Sequence, residues 1–252
     1  MEISVREAAQ RLGVDDSRVR AMLRLSTLAG RRVSGRWLVD VDDLAHREAH
    51  RPPRGRPMSP VRAWGLLSLL EGGRAPWLSP AERSQVRAQL RAAFSPPAAA
   101  VPVSTAAESA AAAAGRVDRW RAMFKARSDV VAVEAHRAAL PRLLNEVGVH
   151  EAGVRAAIRA GADLVSPSAR PELYVSGDVW PQLRERYQLG EGRTSANLVV
   201  RVPRGVPDPF GGEAPGPAVL AADLLESDDY RVWAAGARML VDLAAGHAAR
   251  TR

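Results

Sequence analysis

The spacing between Ser4 and Leu44 dictates how two helices must meet. Small Ala9 is followed four residues later by Gly13, then six later by Val19 and three later by Met22. Ser4 and Glu7 form a capping box, so a helix starts there. Ala8, Ala9 and Leu12 give that helix one apolar stripe. Gly13 supplies the positive φ that a tight turn demands. Asp16 or Ser17 is expected to cap a second helix, whose inner face holds Val19, Met22 and Leu23. Ala9 lets the helices approach, and Val19 and Met22 pin the second onto the first. The pattern is that of a helix-turn-helix.

The second helix then turns Ser17, Arg18, Arg20, Ala21 and Arg24 outward, with Arg20 and Arg24 one turn apart. A helix that enters a major groove needs such a display. Arginines meet guanine edges or phosphates, and small residues allow close approach. A hairpin is expected next, with strands Arg31–Val33 and Arg36–Val39 joined across Ser34-Gly35. Trp37 and Val39 alternate with Arg36 and Leu38, so one face seals the small core. Arg31, Arg32 and Arg36 reach a flanking phosphate or the minor groove. Asp40 caps a closing helix through Leu44, with Asp43 in its first turn. The candidate DNA-binding residues are therefore Ser17, Arg18, Arg20, Arg24, Arg31, Arg32 and Arg36. The bland alternative is a helical hairpin that only mediates protein contacts.

This order of elements is similar to the excisionase and MerR-like winged helix family, over about the first fifty residues. The resemblance implies a wing and a recognition helix acting together on DNA. The pattern also expects a glycine just before the wing, which Leu25-Ser26-Thr27-Leu28 does not supply.

Charge supports a nucleic-acid partner only after discounting. The net charge over the 252 residues is +8, but Lys125 is the only lysine among 36 basic residues. Such arginine use, beside abundant alanine, reflects codon bias. The distribution says more. Residues 1–57 carry +4, residues 58–160 carry +6 and residues 161–252 carry −2, so the last third is not expected to lie along DNA. There is no cysteine, which excludes disulfides, thiolate zinc sites and a cysteine nucleophile. The amino terminus lacks signal-peptide character and no apolar run approaches membrane-spanning length. The expectation is a cytoplasmic protein with no membrane contact.

The expected fold class is α+β, with an N-terminal winged helix-turn-helix, a helical middle segment and a C-terminal mixed α/β domain. The boundaries are 1–50, a Pro/Arg linker at 51–60, a helical connector at 61–127 and the α/β domain at 128–252. Ser59-Pro60 and Ser79-Pro80 with Glu82 start two helices. A Pro/Ala stretch at 95–115 follows, in which Thr105 and Glu108 form another capping box. Beyond it, Asp129–Val133 reads as a buried strand, and Ala138–Leu144 and Glu151–Ala160 as helices. Asp163–Val165, Glu172–Val175 and Ala196–Val202 read as strands, with a helix over Val179–Tyr187. A Pro/Gly loop spans Pro203–Pro217. Helices over Ala218–Leu225 and from Asp229 to about Ala245 follow.

No catalytic constellation emerges, and neither cofactor nor metal is expected. The histidines His46, His50, His136, His150 and His247 lack metal-ligand spacing, and the i,i+4 pair His46/His50 reads as solvated. There is no GxSxG, P-loop or GxGxxG. Asp223 and Glu226, like Asp228 and Arg231, read as a solvated helix face, and Asp178 as a cap. Ser176-Gly177-Asp178 inverts the order a nucleotidyltransferase needs, so the chain is read as a non-enzyme.

A second resemblance covers most of the chain. Its segments are RPMSPVRAWGLLSLLEG with WLSPAERSQVRAQLR, then LPRLLNEVGV with GVRAAIRAGADLV, then ANLVVRV, then PAVLAADLLESDDYRVWAAGARML. Together they resemble actinobacterial helix-turn-helix regulators related to the antitoxins of type IV toxin–antitoxin systems, the AbiEi kind. The Pro/Ala stretch is an insertion in that pattern. The resemblance implies a repressor of its own operon whose C-terminal domain counters a nucleotidyltransferase toxin. The expected function is sequence-specific binding of double-stranded operator DNA on repeated half-sites, filled by a homodimer or by cooperative neighbours. A ligand-sensing regulator, a pure interaction module and an excisionase-like architectural factor are the alternatives.

Overall fold

The computed structural model describes residues 2–12, 14–24, 28, 30–33, 35–41, 44, 58–94, 116–165, 170–191, 196–227 and 229–250. Gly13, Ser34, Asp43, His46, His50, Asp228, the linker at 51–57 and the Pro/Ala stretch at 95–115 lie outside the described residues. The chain is mixed α+β and divides into two compact units, Met1–Arg54 and Gly55–Arg252.

In the first unit, strand β1 (Glu2–Ser4) leads into helix α1 (Val5–Leu12), helix α2 (Asp16–Arg24) and strands β2 (Gly30–Val33) and β3 (Arg36–Asp40). The sheet is antiparallel in the order β1-β3-β2. The Glu7 backbone N–H donates to Ser4 Oγ at 3.2 Å, which satisfies one of the orphan donors at the start of α1. The cap of α2 is Asp15, one residue earlier than expected. It accepts from the Arg18 N–H at 2.9 Å and from the Ser17 hydroxyl. β1 had no signal in the sequence, because three residues are too few to show a period of two. The core comprises Ile3, Val5, Ala8, Ala9, Leu12, Val19, Leu23, Leu28, Val39 and Leu44. Val41 and Leu44 have helical backbone directly after β3.

Gly30, at the start of β2, has no room for a side chain. A Cβ built there would lie 2.3 Å from the Leu38 carbonyl oxygen and 2.6 Å from a Leu23 methyl. The hairpin crosses α2 so closely that only hydrogen fits. At its other end Gly35, with φ +81°, turns the chain between the strands.

The second unit holds a five-stranded sheet in the order β5-β6-β8-β4-β7. Its strands are β4 (Ser128–Glu134), β5 (Val149–Ala152), β6 (Glu172–Val175), β7 (Gly190–Glu191) and β8 (Leu198–Pro203). β6 and β8 run parallel, and the other pairs antiparallel. Helices α3 (Pro60–Leu70) and α4 (Pro80–Phe94) precede it, and residues 116–124 form α5. Short helices α6 (Leu140–Leu143), α7 (Gly153–Arg159) and α8 (Trp180–Arg186) connect its strands, and α9 (Pro217–Leu224) and α10 (Tyr230–Arg250) follow.

Alternation along β6 separates the two layers. Tyr174 joins Trp64, Leu67, Leu90, Trp120, Phe124 and Leu240 on one face. Leu173 and Val175 join Val133, Leu143, Leu183, Leu198 and Val200 on the other. In the segment expected as a connector, the described aromatic and aliphatic residues of 61–94 and 116–127 pack on one face of this sheet.

Local signals account for the starts of α3 and α4. Ser79 and Glu82 cap reciprocally, with bonds of 3.0 Å to the Ser79 N–H and 3.3 Å to the Glu82 N–H. Ser59 is extended and makes no side-chain cap, so the fixed φ of Pro60 alone starts α3. Other expectations give way to pairing. Glu151 and Ala152 extend a strand against β6, and the helix begins only at Gly153, with φ +64°. Asp163–Val165 is no strand, and Val165 is 93% exposed. β4 is not a buried strand. Asp129 and Val130 face solvent, and among the described residues β7 pairs with Val133 and Glu134. The short helix expected at 138–144 is present as the single turn Leu140–Leu143.

Candidate nucleic-acid interface

Val19 and Leu23 fix the inner side of α2, so helical geometry sends Ser17, Arg18 and Arg20 outward, and all three are exposed. Arg24 closes the helix, and its side chain lies outside those described. In the hairpin, Arg31 pairs with Leu38 and Val33 with Arg36. Antiparallel partners share a face, so Arg31 and Arg36 stand together on the outer face. Arg32 is opposite Trp37 on the other face, at the rim of the core. The structure thus brings together Arg31 and Arg36 and sets Arg32 apart from them.

These guanidiniums already have protein partners. Arg31 makes a two-pronged contact with Glu2, Nε to Oε1 at 2.7 Å and a terminal nitrogen to Oε2 at 3.0 Å. That contact holds the Glu2 carboxyl below its ordinary range and raises the Arg31 guanidinium. Arg20 lies 3.4 Å from Asp16, one turn back, with half its side chain exposed. Arg32 Nε donates to the Gly35 carbonyl at 3.1 Å, which ties it to the hairpin tip. Exposed pairs of this kind are weak and salt-screened, so a phosphate can displace Glu2 or Asp16. The start of α2 is a different matter. Asp15 occupies the Arg18 N–H, and the Ser17 hydroxyl and that N–H hold its carboxyl low. The helix terminus is closed to an outside anion, and Ser17 can offer a ligand only an acceptor.

The residues that sequence reasoning missed lie in the second unit. Asp223, read as part of a solvated face, has a fully buried side chain, as does Arg127, and the two are ion-paired. Arg127 also meets Glu226 at 2.5 Å. Arg201 meets Glu226 at 2.6 Å and Glu172 at 2.9 Å. The Tyr174 hydroxyl donates to Asp223 at 2.6 Å. Trp64 donates its ring N–H to the Arg127 carbonyl at 3.0 Å, and its ring lies under the guanidinium at 6.0 Å. Burial raises the Tyr174 hydroxyl and lifts the Glu172 carboxyl above its ordinary value, while the two arginines pull Glu226 down despite its burial. Three carboxylates face two guanidiniums, all turned upon each other, so the cluster is built as an internal clamp. The signal was present: Asp223 is the lone charge in PAVLAADLL, and Arg201 the lone charge in ANLVVRV.

Among the described residues no group of three or more His, Asp or Glu side chains could hold a metal ion. No described helix is long and apolar enough to cross a membrane. Comparison with family models, with curated proteins and with solved structures found no match.

Proposed function

We propose that the protein is a sequence-specific DNA-binding transcriptional regulator whose first unit acts as a winged helix-turn-helix. The observation that carries this reading is the two-sided display on one small core. α2 turns Arg18 and Arg20 outward, and the adjoining hairpin turns Arg31 and Arg36 outward. α2 serves as the recognition helix in the major groove, and the hairpin serves as the wing on phosphate or the minor groove. Because Asp15 closes the helix start, base contact falls to side chains, with Arg20 foremost. A single module has a small footprint, so two copies bind paired or repeated half-sites.

The test is a gel shift and footprint on DNA upstream of the chain's own reading frame. Arg20→Ala should cost about 1–3 kcal/mol on the operator and far less on random duplex. Equal loss on both would reduce Arg20 to a phosphate contact, and no operator preference in the intact chain would end the reading. The finer proposal is an antitoxin that represses its own operon and counters a nucleotidyltransferase toxin. It rests on sequence pattern, and it requires that growth arrest by a co-encoded nucleotidyltransferase be relieved by co-expression of this chain.

A further inference from the structure

α3, α4 and α5 leave a cleft of about 940 Å³ within the second unit. Arg62, Arg119 and Arg204 line it, together with Trp120, Met123 and Ala93, and none of the described lining residues is acidic. The floor is preformed. Trp120 is almost fully buried, and its ring N–H donates to the Ala93 carbonyl at 3.3 Å. The indole therefore offers a ligand its apolar ring and no donor. Arg62 and Arg204 keep loose protein partners at the rim, and Arg62 also acts on the nearby Glu82 carboxyl. Arg62 donates to uncharged Gln85 at 2.5 Å. Arg204 has its carboxylate partner Asp129 only at 3.7 Å, with half of the arginine side chain exposed. Concavity and volume fit a small molecule, since ligand pockets run to roughly 300–1,000 Å³ with an apolar lining and few polar anchors. A nucleic-acid strand would instead need an extended basic track.

We infer that this cleft is a binding site for a small amphipathic organic anion, with its carboxylate, sulfonate or phosphate head at Arg62 and Arg204 and its apolar body on Trp120 and Met123. The site lies wholly within the second unit and is independent of the DNA-binding reading. A chain that shifts no DNA can still bind the anion, and one that binds no anion can still shift DNA.

The probe is 1-anilinonaphthalene-8-sulfonate, titrated into the intact chain by fluorescence. N-phenyl-1-naphthylamine, the same ring system without the sulfonate, is the control. The expected result is saturable binding of the anionic probe at one per chain, competed by decanoate, with the neutral analogue at least roughly tenfold weaker. Arg62→Gln with Arg204→Gln should remove that difference. Ala92→Trp, which fills the cleft from an exposed helix position, should abolish binding of both probes while leaving the thermal unfolding midpoint in place. Equal affinity for the two probes, or undiminished binding to the Ala92→Trp chain, overturns the inference.

Discussion

Among the described residues, the two units differ in whether they enclose any arginine. In the first, ten aliphatic side chains make the core and Arg6, Arg11, Arg18, Arg20, Arg31, Arg32 and Arg36 are all exposed. In the second, Arg127 is fully buried and Arg201 nearly so, enclosed by Asp223, Glu226 and Glu172. A guanidinium at the surface keeps its hydration and remains available to an outside anion. One taken into the interior loses that hydration and is tolerated only when carboxylates and hydrogen bonds around it answer its own charge. The formal charge of +8 therefore says little about where cations are on offer. Position relative to a core decides whether an arginine is architecture or interface.

The sharpest way to break this contrast is Arg127→Met. Asp223 and Glu226 would be left buried without one of their two cations, and the second unit should lose about 3–5 kcal/mol in chemical denaturation. A loss below about 1 kcal/mol would show the clamp to be incidental. Next is Gly30→Ala, which pushes a methyl into the Leu38 carbonyl and should cost the first unit about 1–3 kcal/mol. Hydrogen exchange should then lose protection over residues 30–40 and keep it in the second unit. Loss in both units would mean that the division between them is not energetic.

Glu172→Gln tests the surplus carboxylate. It faces Arg201, Asp223 and Glu226, and burial raises it above the ordinary 4.5. In the window above that value the folded chain holds a proton that the unfolded chain releases. Stability from this group therefore falls as pH climbs through the window. The glutamine variant should flatten that slope and leave neutral-pH stability equal or higher. A steeper slope would place the surplus charge elsewhere. The smallest effect belongs to Arg31→Ala. Thermal stability should be unchanged, while the logarithmic salt dependence of DNA binding should fall by about 0.9, one phosphate contact. An unchanged slope would leave Arg31 paired to Glu2 in the complex.

Legibility in the sequence followed the range of the interaction. The Ser4 and Ser79–Glu82 caps and the turn at Gly35 depend on neighbours a few residues away, and their residue patterns announced them; β6 and β8 pair with distant strands, but their short aliphatic runs were legible all the same. β1 exists only because Ile3 finds Val39. Glu151 is extended only because Leu173 lies opposite, and local propensity could not report either partner. The exposure of Ser17, Arg18 and Arg20 was legible from helical period. The Glu2–Arg31 contact and the Asp15 cap, which limit what that surface can bind, were not. The clamp was misread for a related reason: an i,i+3 acidic pair looks solvated until its counter-ions arrive from distant parts of the chain.

Those distances set an order of events at the ribosome. Arg127 waits 96 residues for Asp223 and 99 for Glu226, and Glu71 waits 147 for the Ala218 amide that it caps. Domains generally fold in the order in which they emerge. The first unit can close within its own 54 residues, long before the second has its closing helix. During that interval the cell holds a chain with a finished head and an open, apolar body, and an arginine with no carboxylates around it.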